Sequence, residues 1–117
     1  MVDSSCVFCR IVRGEIPASI VGERDHWLAV FDAHPKTEGH TLVISKEHFD
    51  TLFDIPSEFG VELVEFVKDI AHELLDKGYG DGFQVHMNNL PAGGQVVMHA
   101  HIHVLPWKKG DKRVLRV

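Results

Sequence analysis

The longest periodic signal in the chain lies between Pro56 and Lys77, where Phe59, Leu63, Phe66, Ile70 and Leu74 recur at spacings of four, three, four and four. That spacing predicts one helix with a single buried stripe. Pro56 suits its first turn, and Gly78 falls just beyond its end. Val61, Val64, Val67 and Leu75 widen the apolar surface beyond the stripe, as a second contact surface such as a homodimer interface would. The rest of the chain reads as short segments. Val7 to Arg13 is a short amphipathic stretch, interrupted by Gly14 and Pro17. Ser19–Glu23, Trp27–Asp32, Gly39–Lys46, Gly82–Asn89 and Val97–Pro106 read as strands, and Leu90–Gln95, with Pro91, Gly93 and Gly94, as a loop. One main helix therefore interrupts a set of strands joined by short turns, which favours antiparallel pairing and an α+β class. With 117 residues, a single domain over 1–117 is expected.

Charge and histidine content narrow the function. Twelve Lys+Arg against 17 Asp+Glu give −5, the wrong sign for an electrostatic clamp on long nucleic acid. A small phosphorylated ligand is still admissible, because backbone amides and a few local groups can hold it. No apolar run reaches the roughly 20 residues needed to cross a bilayer, and MVDSSCVFCR lacks the apolar core of a secretory signal, so a cytoplasmic location is expected. Nine histidines stand out, since imidazole titrates near neutrality, binds metals and moves protons.

Three of them alternate. In a strand, His99, His101 and His103 share one face, while Ala100, Ile102 and Val104 share the core face. Side chains on one face are roughly 6.5 Å apart, close enough to address successive atoms of one small ligand. Two chemistries use such a row. One is a metal site with the three imidazoles as ligands. The other is nucleophilic attack by an imidazole nitrogen at phosphorus, giving a phosphoramidate that water later cleaves. The attacking ring must hold its proton on the opposite nitrogen, donated to a fixed acceptor. Flanking histidines then serve phosphoryl oxygens or the leaving group.

His99-Ala100-His101-Ile102-His103-Val104-Leu105 resembles the signature of the histidine triad (HIT) family. Gly14-Glu15-Ile16-Pro17-Ala18, Val30-Phe31-Asp32, Pro35 and Gly39-His40-Thr41-Leu42-Val43-Ile44 are similar to the family's N-terminal half in order and spacing. Asn88 and Gly94-Gln95 match the run before the triad. The resemblance implies a five-stranded antiparallel sheet, usually in a homodimer, and a nucleotidyl hydrolase or transferase acting at the α-phosphate of a purine nucleotide. It implies His101 as the nucleophile, with His99, His103 and His40 supporting it. Asp32 matches the ribose-binding acid. Val7, Phe8, Ile11 and Val30 match the lining of the base pocket, and Asn88, Gly94 and Gln95 match the phosphate end. His26, His34, His72 and His86 match nothing functional. Val96 stands where a hydroxyl residue usually follows the glutamine, and Trp107 where one branch of the family has a basic residue. The departure at Val96 motivates an alternative: a nucleotide-binding module with negligible turnover.

Cys6 and Cys9 form a C-x-x-C pair, which in a reducing compartment points to metal or redox chemistry. Two thiolates leave zinc short of its four ligands, so histidines must complete a site. The resemblance to prokaryotic family members implies a structural zinc on Cys6, Cys9, His48 and His99, and no catalytic metal.

Overall fold

The computed structural model describes residues 5–114. Helix α1 (Val7–Val12) leads into strands β1 (Ile20–Glu23), β2 (Trp27–Phe31) and β3 (Thr41–Ser45). Helix α2 (Gly60–Asp76) follows, then β4 (Gly82–His86) and β5 (His101–Trp107). The strands form one antiparallel sheet in the order β1-β2-β3-β5-β4. The expected α+β class and five-stranded sheet are both present.

The alternation in β2, β3 and β5 divides the sheet into two differently used faces. On one, Trp27, Ala29, Val43, Ile102 and Val104 pack against Phe66, Ile70, Ala71 and Leu74 of α2. On the other, Leu28, Val30, Leu42 and Ile44 pack against Cys6, Phe8 and Cys9 around α1. The expected stripe is the buried face of α2, with Leu63 and Phe59 only half-buried at its start. A short 3-10 turn at Ser57–Phe59 precedes the helix, so Pro56 stands before that turn and α2 proper begins at Gly60. Gly78 stops the helix with φ of 84°, a conformation costly for residues bearing a Cβ. Val61 and Val64 are exposed on α2, and Phe83 and Val85 are half-exposed on the edge strand β4.

The fifth strand begins later than expected, at His101 instead of Val97. Val97 to Ala100 are bent out of the ladder: the His99 N–H donates to Val97 O at 2.9 Å and the Ala100 N–H to Phe49 O at 2.6 Å. Only His101 and His103 of the triad are thus placed by strand alternation. Val96, which stands where a hydroxyl residue usually follows the glutamine, is 91% exposed and is therefore not a core residue.

Candidate active site

A cleft of about 650 Å³ opens on the α1 face of the sheet. Val7, Phe8, Ile11, Val30 and Leu42 give it an apolar wall, and His101, His103, Asn88 and Gly94 a polar one. Asp32, at the end of β2, also lines it. Its Oδ1 accepts from the His34 N–H at 2.8 Å, which leaves lone pairs of the carboxylate available to a ligand.

Hydrogen bonds fix how the imidazoles are protonated. His101 Nδ1 lies 2.7 Å from His99 O. A carbonyl can only accept, so Nδ1 carries the proton and Nε2 holds the lone pair. No described residue pairs with that Nε2. This is the arrangement a nucleophilic imidazole requires. A second chain starts at Lys36, whose backbone N–H donates to His40 Nδ1 at 3.1 Å. His40 Nδ1 is therefore an acceptor, and the ring proton sits on Nε2. That Nε2 lies 2.9 Å from His103 Nδ1 and 3.5 Å from Asp32 Oδ2. His40 donates to His103 Nδ1, which leaves His103 with Nε2–H as its donor.

Burial favours the neutral form of His40 and His103. His40 is pushed down by burial, with the Asp32 carboxylate opposing and Lys36 and His86 adding to the depression. His103 is pushed down to about 3, by burial first and then by repulsion from His101, His86, His40 and Lys36. A neutral donor facing a phosphoryl oxygen or a leaving group follows at any ordinary pH.

The loop before β5 is shaped by backbone that favours glycine. Leu90 has φ of 66° and Gly94 φ of 91°. A Cβ on Gly94 would meet Asn88 Nδ2 at 3.0 Å, so residue 94 stays small where the backbone approaches the cleft. Asn88 Nδ2 donates to Gly93 O at 2.8 Å. Gln95 does not line the cleft. Its Oε1 accepts from the Leu90 N–H at 2.7 Å, and its Nε2 donates to Asp50 O at 2.6 Å and Val97 O at 3.0 Å. It braces the loop, so the expectation of a substrate contact is replaced by a positioning one. His40 acts from behind His103 and also stays off the cleft surface.

His99 turns away from its two partners in the triad. Its Nδ1 lies 3.2 Å from Cys6 Sγ and 3.5 Å from Cys9 Sγ, and His48 Nδ1 lies 3.2 Å from Cys9 Sγ. The four ligand atoms of Cys6, Cys9, His48 and His99 all lie within 4.8 Å of one another. A tetrahedral zinc with Zn–S of about 2.3 Å and Zn–N of about 2.0 Å needs sulfur–nitrogen edges of roughly 3.5 Å. Both outer nitrogens are engaged: His99 Nε2–H donates to Ser45 O at 2.7 Å and His48 Nε2–H to Asp50 Oδ1 at 2.7 Å. Each Nδ1 is thus a lone pair aimed at the thiols, as metal-ligating histidines require. Burial pushes His99 down to about 4 and the Cys6 thiol up. The donor set fits zinc, and a chelate of His99, His101 and His103 is not formed.

Sequence reasoning missed several residues of this region. Lys36, His34, Ile16, Pro17 and Val97 line the cleft. His86, set aside as structural or surface, stands opposite His103 in the β4–β5 register, with the ring centroids 4.7 Å apart.

A five-stranded antiparallel sheet that presents a paired-histidine cleft beside a Cys2His2 cluster defines a class, and comparison with known proteins supplies its name. The HIT domain matches residues 13–110. The chain belongs to the HIT family. An uncharacterized HIT-like protein of Methanocaldococcus jannaschii is 40% identical over 113 residues, covering 95% of this chain and 85% of that protein. An adenylylsulfatase of Arabidopsis thaliana is 36% identical over 110 residues, covering 94% of this chain but 56% of that protein. An adenosine 5'-monophosphoramidase of Saccharomyces cerevisiae is 35% identical over 116 residues, covering 99% of this chain and 70% of that protein. Among solved structures, a zinc-bound histidine triad protein of Mycobacterium smegmatis is 40% identical with a TM-score of 0.89, covering 96% of this chain and 81% of that one.

Proposed function

We propose that the protein is a nucleotidyl hydrolase. It cleaves at the α-phosphate of a purine nucleoside phosphoramidate or a dinucleoside polyphosphate through a covalent nucleotidyl-histidine on His101. The observation that carries this reading is the 2.7 Å bond from His101 Nδ1 to His99 O, which holds the proton on one nitrogen and presents the other as the nucleophile. His101 Nε2 attacks phosphorus, a P–N bond forms, and the bond from phosphorus to the leaving group breaks with its electron pair. The Nε2–H of His103 donates a hydrogen bond to an amine leaving group, which takes its proton from a water molecule in the open cleft. The remaining hydroxide of that water bonds to the same phosphorus, and the electron pair of the P–N bond returns to His101 Nε2. The apolar wall receives the base and Asp32 the ribose hydroxyls. Relatives named as an adenylylsulfatase and an adenosine 5'-monophosphoramidase support chemistry at an adenylyl phosphorus.

Zinc fits this reading as a structural ion on Cys6, Cys9, His48 and His99. It would cross-link α1, the segment after β3 and the residues before β5. The carbonyl that orients His101 belongs to His99, so the cluster and the nucleophile share a residue. A second copy of the chain suits the exposed Val61 and Val64 of α2 together with Phe83 and Val85 on the β4 edge.

The test is AMP release from adenosine 5'-phosphoramidate by the purified protein. Turnover supports the hydrolase. Binding of AMP without turnover supports the alternative of a binding module, which the exposed apolar side chain of Val96 at the cleft favours.

A further inference from the structure

Among the described residues lining the cleft, Lys36 is the sole lysine or arginine. Its backbone is held on both sides: its N–H donates to His40 Nδ1 at 3.1 Å, and its carbonyl accepts from Arg113 at 3.4 Å. It lies four residues beyond Asp32, in the connection between β2 and β3. Along β5 the site runs from His101, edged by the Phe8 ring at 5.0 Å, to His103, flanked by the rings of His40 at 5.1 Å and His86 at 4.7 Å. Lys36 belongs to the His103 side, because its backbone bonds the His40 ring that flanks His103, and its charge accordingly depresses His40, His86 and His103. In-line displacement carries the leaving group away from His101.

We propose that Lys36, together with the Nε2–H of His103, forms a subsite for an anionic leaving group, a sulfate or phosphate attached to the α-phosphate, and so sets the preference between anionic and amine leaving groups. This rests on the hydrolase reading above. As His101 Nε2 bonds to phosphorus, the P–O bond to the sulfate or phosphate breaks and its electron pair stays on the departing oxygen. That oxygen leaves as an anion and needs no proton. An ammonium on the cleft lining stabilises the charge as it develops. An amine takes up a proton and leaves as a neutral molecule, so it carries away no negative charge for the ammonium to stabilise. The cation therefore favours one class over the other instead of accelerating both.

The experiment measures kcat/KM for adenosine 5'-phosphosulfate, ADP and adenosine 5'-phosphoramidate with wild type, Lys36→Met and Lys36→Arg. Lys36→Met is expected to lower the ratio of anionic to amine substrate by about tenfold or more, and Lys36→Arg to restore it to within about threefold. The anion with the larger loss, sulfate or phosphate, is the one the subsite reads. An unchanged ratio, or an equal loss on all three substrates, overturns the proposal. So does a wild type that hydrolyses the phosphoramidate and neither anionic substrate, which leaves the hydrolase reading standing. A wild type inert towards all three overturns the hydrolase reading itself.

Discussion

The two faces of the central strands bury their side chains by different physics. Towards α2 the contacts are apolar: Trp27, Ala29, Val43 and Val104 meet Phe66, Ile70 and Leu74, all but removed from water. Towards α1 the same strands meet two thiols and a row of imidazoles, and His40, His99 and His101 are as buried as the neighbouring Leu42. Burying polar rings is costly unless each nitrogen is used. Here His40 hands its proton to His103, His101 hands its own to His99 O, and His99 to Ser45 O. The α2 face stores stability in packing. The α1 face uses that stability to hold each of these rings in one tautomer.

That contrast can be broken from either side. On the α1 face, His101→Ala is expected to reduce turnover by at least about 10³-fold, since the covalent path is lost, while nucleotide affinity stays within about tenfold. Steady-state kinetics and AMP titration check both. On the α2 face, Phe66→Ala is expected to cost about 3–5 kcal/mol of stability in denaturant unfolding, with kcat per folded molecule kept. A large loss of kcat in folded Phe66→Ala would show that the faces are not separable.

The α1 face has an anchor of its own in the cysteine–histidine cluster. Cys6→Ser, or removal of metal by a chelator, is expected to lower the melting temperature by about 10 °C, through loss of binding free energy specific to the native state. Metal content measured beside the melting curve checks it. An unchanged melting temperature in a metal-free variant would remove the structural ion.

Acid should act on the α1 face through its buried imidazoles. His103 and His99 are held near 3 and 4, below the unfolded value of about 6.5. Between those limits the unfolded chain binds more protons than the native one, so stability falls as pH drops from about 6.5 towards 3. His103→Gln removes one of those titrations and is expected to flatten the slope of melting temperature against pH. A variant with the wild-type slope would contradict the buried neutral ring. The smallest effect concerns Val96. Because the side chain is 91% exposed, Val96→Ser is expected to change stability by no more than about 0.5 kcal/mol. A hydroxyl there is expected to raise the single-turnover rate by roughly threefold to thirtyfold, most for poor leaving groups.

The two faces were also unequally readable in the sequence. The stripe of Phe66, Ile70 and Leu74 follows from a 3.6-residue period, which is local information. The alternation of His101 and His103 is local too. The turn of His99 towards Cys6 is not, because it depends on the N-cap of α1 and the bend before β5 meeting across 93 positions of sequence. The same holds for Gln95, whose partners Asp50 and Leu90 come together only in the folded loop. His86 became part of the site through the register of β4 against β5, and Lys36 through its backbone contact with His40. A residue type in a pattern can be recognised locally, whereas a nitrogen's direction cannot.

The central claim is that His101 attacks phosphorus with a nitrogen whose tautomer is set by His99 O. Its most direct test is intact-mass analysis of protein mixed with adenosine 5'-phosphoramidate and quenched within the first turnover, at neutral or alkaline pH to preserve a P–N bond. The account predicts a transient mass increase of one adenylyl group in the wild type, mapped to His101 and absent from His101→Ala. Turnover without an adduct, or an adduct that persists in His101→Ala, would contradict it.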